Sequence, residues 1–208
     1  MVKKMKTKTQ PKTPKWTQYY PVVLIVGAIL GLFAALSLSL DEIKLLKNPG
    51  FQPVCNLNPL LSCTSVISSH QAKAFAGIPN PYIGLAGFAI VLTVGMAILA
   101  GAKFKKWFWQ GLLLGTVFGV SFVHWLIYQS VYSIGKLCLY CMLVWIVTIA
   151  LFWYTLLYNL REGHVKTPAK LKKVINFAQT NHIGILFLWY LTIAVLIVHR
   201  FWYFFGPH

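Results

Sequence analysis

The sequence predicts an all-α integral membrane protein, and three observations carry that prediction. Of its 208 residues, 58% are hydrophobic and 11% are charged, against about 25% charged in a typical soluble domain. Apolar runs long enough to cross a bilayer recur five times. The formal charge of +16 comes from 19 Lys and Arg against three acids, Asp41, Glu42 and Glu162. The basic residues sit mainly in segments bordering the apolar runs, as the positive-inside bias of membrane proteins requires. The lipid bilayer is therefore the expected partner, and no nucleic acid is.

Taken in order, residues 1–20 hold six lysines, two prolines and no acid. They read as a solvated cytoplasmic tail beside anionic lipid. The run from Val22 to Leu40 is 19 residues, longer than the roughly 7–15 of a signal peptide's apolar core, and is the first span. Residues 41–80 are polar, with Asn48-Pro49-Gly50, Pro53, Asn58-Pro59, Gly77-Ile78-Pro79 and Pro81 marking irregular structure. Within them Leu60 to Ala76 is expected to form a half-helix on the membrane, with Ser65, Ser68 and Ser69 as capping groups.

The second span runs from Tyr82 to Ala100, where Gly84, Gly87 and Gly95 on one face permit close helix contact. A basic turn, Gly101 to Lys106, leads to a third span, Trp107 to Tyr132, long enough to tilt. A short hairpin, Ser133 to Lys136, precedes the fourth span, Leu139 to Tyr158. Residues 159–180 are basic and carry Pro168. The fifth span, His182 to Phe205, ends in aromatics, which with Trp107 and Trp109 suit the interfacial belt; Arg200 is placed to snorkel. The expected organisation is a basic tail (1–20), a four-helix core (21–160, with the extracytoplasmic loop 41–80), and a cytoplasmic loop with the fifth helix (161–208).

Lys and Arg divide 14 to 5 between the two sides of these five spans. That bias puts the N-terminus in the cytoplasm. The 41–80 loop and the head of the fourth helix are then extracytoplasmic, and so are all four cysteines, on the side where disulfides persist.

Cys138-Leu139-Tyr140-Cys141 opens the fourth span. Residues three apart share a helix face, and a helix N-terminus favours thiolate over thiol. The flanks Leu137, Leu139, Tyr140, Met142 and Trp145 form an apolar, aromatic setting suited to a lipid-soluble quinone. Cys55 and Cys63 lie in a loop able to carry a disulfide between docking partners. Thiol–disulfide exchange would take electrons from an external dithiol to the loop pair, then the helix pair, then the quinone. Three plainer readings stand beside it. They are two structural disulfides, a four-cysteine zinc site, and haem attachment, which needs C-x-x-C-H where Met142 stands.

At these residues the chain resembles the vitamin K epoxide reductase family, specifically its bacterial members. The resemblance covers about residues 20 to 160. It rests on the loop pair Cys55 and Cys63 after the first span, on Ser62-Cys63-Thr64-Ser65-Val66-Ile67-Ser68-Ser69, on Gly77-Ile78-Pro79 leading into Gly84, and on Cys138-x-x-Cys141 opening the fourth helix. The unrelated quinone-linked DsbB type carries its C-x-x-C in the first external loop. The resemblance implies a four-helix bundle of the family's type plus a fifth helix, capped by an extracytoplasmic loop and half-helix, in a bacterial cytoplasmic (inner) membrane. It implies that Cys141 faces the quinone, that Cys138 is attacked by Cys63, and that Cys55 exchanges with the outside thiol. Ser69 matches the family's loop serine near the redox pocket. Asn80 sits where members place an asparagine that hydrogen-bonds a quinone carbonyl. The co-substrate would be ubiquinone, menaquinone or phylloquinone, with no metal. Where vertebrate members have a tyrosine four residues past the second cysteine, this chain has Trp145, whose indole donates but cannot accept. Many bacterial members carry a fused thioredoxin-like domain after the fifth span. With this chain running to His208, the resemblance implies a separate thioredoxin-fold, DsbA-like partner.

Two histidines complete the candidates. His124 lies about 12 Å deep, at ~1.5 Å per residue, and an intramembrane ionisable group is a functional suspect; it would shuttle a proton or rest neutral in the bundle. His70 beside Ser69 would assist a loop thiol or simply be solvated. Two functions follow: a thiol oxidoreductase supporting disulfide formation, or a multi-span transporter or scaffold stapled by two inert disulfides.

Overall fold

The computed structural model describes residues 15–74 and 77–202. The tail residues 1–14, the end of the expected half-helix at residues 75–76, and residues 203–208 with the expected anchor Tyr203 lie outside the described residues. The helices in order are α1 (Lys15–Lys47), α2 (Cys63–Ile67), α3 (Asn80–Leu99), α4 (Lys106–Tyr128), α5 (Leu139–Arg161), α6 (Lys172–Thr180) and α7 (His182–Arg200). Among the described residues five of these, α1, α3, α4 (with the turn that follows it), α5 and α7, are long and apolar enough to cross a membrane. The protein is an all-helical membrane bundle, as the composition requires.

α1 is longer than the apolar run alone. It begins at Lys15 and continues through Pro21, although a proline inside a helix costs about 3 kcal/mol. Tertiary contacts outweigh that cost. Tyr20 is wholly buried, stacks on Tyr158 at 4.5 Å and donates its hydroxyl to Thr155 Oγ1 at 3.1 Å. Trp16 packs with Trp153 and Leu157.

α5 is the central column, packed against both α1 and α4, while α3 packs on α1. Val147 and Leu151 of α5 meet Leu24 and Ala28 of α1, Phe88 and Val91 of α3, and Leu112 of α4 in one apolar core. The three expected glycine contacts divide. A Cβ on Gly95 would come within 2.8 Å of Ile25 Cγ1 and 3.3 Å of its backbone N, so α1 and α3 approach closely there. Gly84 meets only ordinary contact, and Gly87 faces open space. α3 and α4 line a cavity between them. α7 lies along the outside of α5, with Trp189 and Tyr190 against it.

At one end, α4 passes into a π-helical turn, Gln129–Ile134, that stops at Gly135 with φ +66°. Left-handed backbone of this kind favours glycine. The expected half-helix is two short pieces, α2 and a 3₁₀ turn at His70–Lys73. Their break follows Ser68 and Ser69. The Ser69 hydroxyl donates back to the Val66 carbonyl at 2.7 Å, competing with continued helix.

Candidate active site

The loop after α1 and the turn before α5 are joined by backbone hydrogen bonds. Leu137 N–H donates to Leu60 O and Ser62 N–H to Leu137 O, both at 2.9 Å, making a single parallel bridge between Leu61 and Leu137. The Lys136 ammonium also donates to the Pro59 carbonyl. This bridge sets the register of the two cysteine segments. One residue past Leu137 is Cys138, and two past Leu61 is Cys63. Asn58 Oδ1 accepts from the N–H groups of Leu60 and Leu61 at 3.0 and 2.7 Å, shaping the loop as a side-chain turn.

Cys63 is the first residue of α2, behind Ser62, whose hydroxyl accepts from Ser65 N–H at 3.3 Å. The N-cap is thus Ser62, upstream of the serines expected for it. Cys138 is likewise the N-cap of α5, with extended backbone, and its sulfur accepts from Cys141 N–H at 3.5 Å. The C-x-x-C therefore straddles the helix start rather than lying wholly within it.

Cys55 and Cys63 form a disulfide, whereas Cys138 and Cys141 are free. Cys63 Sγ stands 3.0 Å from Cys138 Sγ, both buried. Leu38, Ile67 and Tyr140 enclose the cluster. A hydrogen bond from the Cys141 side chain, helped by the N–H groups of Cys141 and Tyr140, holds the Cys138 thiol below its ordinary range; burial and the Asp41 carboxylate oppose the shift. A stabilised thiolate beside a disulfide is the geometry of thiol–disulfide exchange.

Cys141 faces the gap between α3 and α4, a cavity of about 520 Å³, within the range of small-molecule sites. Phe88, Phe122, Val144 and Trp145 supply apolar walls, and Ser69 and Asn80 stand at the cysteine end. The Asn80 amide is partly committed: its Nδ2 donates to Gln71 O at 2.8 Å and its Oδ1 accepts from Ala74 N–H at 3.1 Å. One amide N–H remains for a ligand. The Ser69 proton is spent on Val66, leaving only acceptor capacity. Trp145 is buried and also borders a second apolar cavity between α5 and α7.

Two expectations meet a different geometry. His124 does not line the cavity. Its Nδ1 faces Val120 O at 2.8 Å and its Nε2 accepts from Trp189 Nε1–H at 3.0 Å. Both ring nitrogens thus have partners, one within α4 and one on α7. Cys55, expected to meet an outside thiol, is only 3% exposed, although Val54 beside it is 84% exposed. Asn56 closes the loop over it. Its Nδ2 donates to Thr64 Oγ1 at 2.7 Å and Gln52 Oε1 at 2.8 Å, and its Oδ1 accepts from Thr64 N–H at 3.2 Å. His70 is exposed on its 3₁₀ turn. The residues that sequence reasoning missed are Asn56, Lys136 and the Leu61–Leu137 bridge. The Asn56-Leu57-Asn58-Pro59 run signals a turn, but nothing in it names its partner 77 residues away.

A family model, that of the vitamin K epoxide reductase family, matches residues 22–156, which include all four cysteines, most of α1 and most of α5. With the helical membrane bundle and the sulfur cluster in place, that match over most of the chain shows that the protein belongs to the vitamin K epoxide reductase family of membrane oxidoreductases.

Proposed function

We propose that the protein oxidises an extracytoplasmic thioredoxin-fold, DsbA-like dithiol and passes its electrons to a membrane quinone, supporting disulfide formation. The observation that carries this reading is the 3.0 Å approach of Cys63 to Cys138, one sulfur in a disulfide and the other a free, thiolate-favoured cysteine.

The external dithiol attacks Cys55, breaking Cys55–Cys63, and is released as a disulfide once its second thiol closes; the loop pair is left reduced. With Cys138–Cys141 joined, the Cys63 thiolate attacks Cys138. The Cys63–Cys138 bond forms and Cys141 leaves as a thiolate. Cys55 then attacks Cys63, restoring Cys55–Cys63 and freeing Cys138. The arrangement present, with the loop pair joined and the helix pair free, is the state that follows.

A quinone in the cavity would supply the acceptor for two electrons and two protons as Cys138 and Cys141 rejoin. The lining fits such a group: apolar walls that include Trp145 for a ring and tail, Cys141 at one end, and a donor in the remaining Asn80 N–H. Ser69 bounds the pocket through its lone pairs. His124, satisfied elsewhere, is left out.

The test is purified protein in lipid discs, supplied with a reduced thioredoxin-fold protein and, separately, ubiquinone, menaquinone or phylloquinone. Cys141→Ser should abolish quinone reduction and accumulate a Cys63–Cys138 linked peptide under non-reducing mass spectrometry. Full quinone reduction by that variant, or no such peptide, would overturn the assignment.

A further inference from the structure

The end of the bundle opposite the cysteines carries a feature that the redox chemistry does not use. α6 is a nine-residue amphipathic helix. Leu171, Val174 and Phe177, spaced three apart, project along one flank, and Val174 and Phe177 are 61% and 62% exposed. Lys172, Asn176 and Thr180 fall on the opposite side, and Lys173 borders the flank, one turn before Phe177. Half-buried Ala178 packs toward the Trp16, Trp153 and Leu157 cluster, so α6 is held against the bundle with its apolar flank uncovered by protein.

Its position fixes what that flank meets. Asn181 is the single residue between α6 and the spanning helix α7. Asn181 N–H donates to Phe177 O and Ile185 N–H to Asn181 O, so α6 is tethered at the level where α7 begins. Gln110 of α4 donates to His164 O at 2.8 Å, tying the segment before α6 to the head of another span, where Trp107 is exposed. Around this level stand exposed Lys103, Lys105, Lys106, Lys166, Lys170, Lys172 and Lys173. The acid of this end, Glu162, is 3.7 Å from Arg161. An apolar flank bordered by lysines at the depth where spanning helices begin is the pattern of a helix lying in a lipid interface.

We propose that α6 rests in the bilayer interface with Val174 and Phe177 among the upper acyl chains, and that Lys170, Lys172 and Lys173 bind the phosphates of anionic phospholipids. The binding is independent of the redox reading, since none of these residues approaches a cysteine. A lysine near an anionic surface is worth about fivefold in partitioning, so neutralising three should cut retention of anionic lipid far more than tenfold.

The experiment uses the full chain in discs of phosphatidylcholine alone or mixed with phosphatidylglycerol. Hydroxyl-radical labelling of Phe177 reports whether its ring is in water, and native mass spectrometry counts retained phosphatidylglycerol. Labelling should fall several-fold when phosphatidylglycerol is present. The K170Q/K172Q/K173Q variant should restore it and lose the retained lipid, while keeping its dithiol-dependent Cys55–Cys63 reduction as the sign of an intact fold. Val174→Ser with Phe177→Ser should lose lipid with all lysines in place. Equal labelling of Phe177 in both discs, or a triple variant that retains phosphatidylglycerol like the parent, overturns the proposal. So does protection of Phe177 in neutral discs by a soluble polyanion such as polyphosphate, which would make the lysines a site for a soluble partner.

Discussion

Replacing Asn56 by alanine should make the loop disulfide easier to reach from outside. Cys55 is 3% exposed, so an incoming thiol attacks only when the loop lifts. The Asn56 amide fastens the loop to Thr64 of α2 through two hydrogen bonds and braces it internally through a third, to Gln52. Net contributions of about 0.5–1.5 kcal/mol apply to each of the two bonds to Thr64, and less to the exposed bond to Gln52. Their loss should shift the loop toward its open form by about 1–3 kcal/mol, or roughly 5–100-fold at ~1.4 kcal/mol per decade. Exchange through a local opening scales with the open population. The bridge between Leu61 and Leu137 is untouched, so Cys63 stays beside Cys138. The assay is the rate of Cys55–Cys63 reduction by dithiothreitol, sampled by acid quench and alkylation. An increase of about tenfold is expected, without a comparable change in quinone reduction once the loop is reduced. An unchanged or slower rate would refute the view that Asn56 keeps the loop shut.

Three further outcomes follow from the geometry. The Cys141 side chain is the leading cause of the lowered Cys138 pKa. In Cys141→Ser, which keeps a donor, formation of the Cys63–Cys138 bond should fall off as pH drops through a midpoint lower than in Cys141→Ala, where the lost donor raises the thiol pKa; coincident midpoints would count against that hydrogen bond. Trp189→Phe removes the bond to His124 Nε2 and should cost about 1 kcal/mol in thermal stability with quinone turnover intact. A tenfold loss of turnover would return His124 to the proton path. Gly95→Ala places a methyl against Ile25 and Leu24 at the α1–α3 contact, and overpacking of this kind costs about 1–3 kcal/mol. The midpoint of thermal unfolding in detergent should drop, whereas Gly87→Ala, with open space before it, should change it little.

The five spans, the all-helical bundle and the special status of four cysteines were legible in the chain because each depends on local information. Twenty or so apolar residues specify a span through the cost of leaving backbone groups unpaired in lipid. A C-x-x-C at the head of such a run specifies two nearby sulfurs wherever the rest of the chain goes. Less legible were the limits of α1, since Pro21 and the lysine-rich start read as tail until Tyr20 finds Tyr158 and Thr155 on α5. His124 was a fair suspect by depth alone, and only α7, arriving with Trp189, satisfies its second nitrogen.

The meeting of the two sulfur couples was decided by tertiary structure. Cys63 and Cys138 are 75 residues apart, and no periodicity or propensity relates them. Two backbone hydrogen bonds between Leu60, Ser62 and Leu137 set their register, and backbone groups look the same under every side chain. The sequence singled out four cysteines as candidates for redox chemistry, by side-chain identity. Which sulfur faces which, which one is shielded by Asn56, and which opens onto a cavity depended on the three-dimensional closure of the loop over the bundle, where the controlling contacts are long-range and largely main-chain.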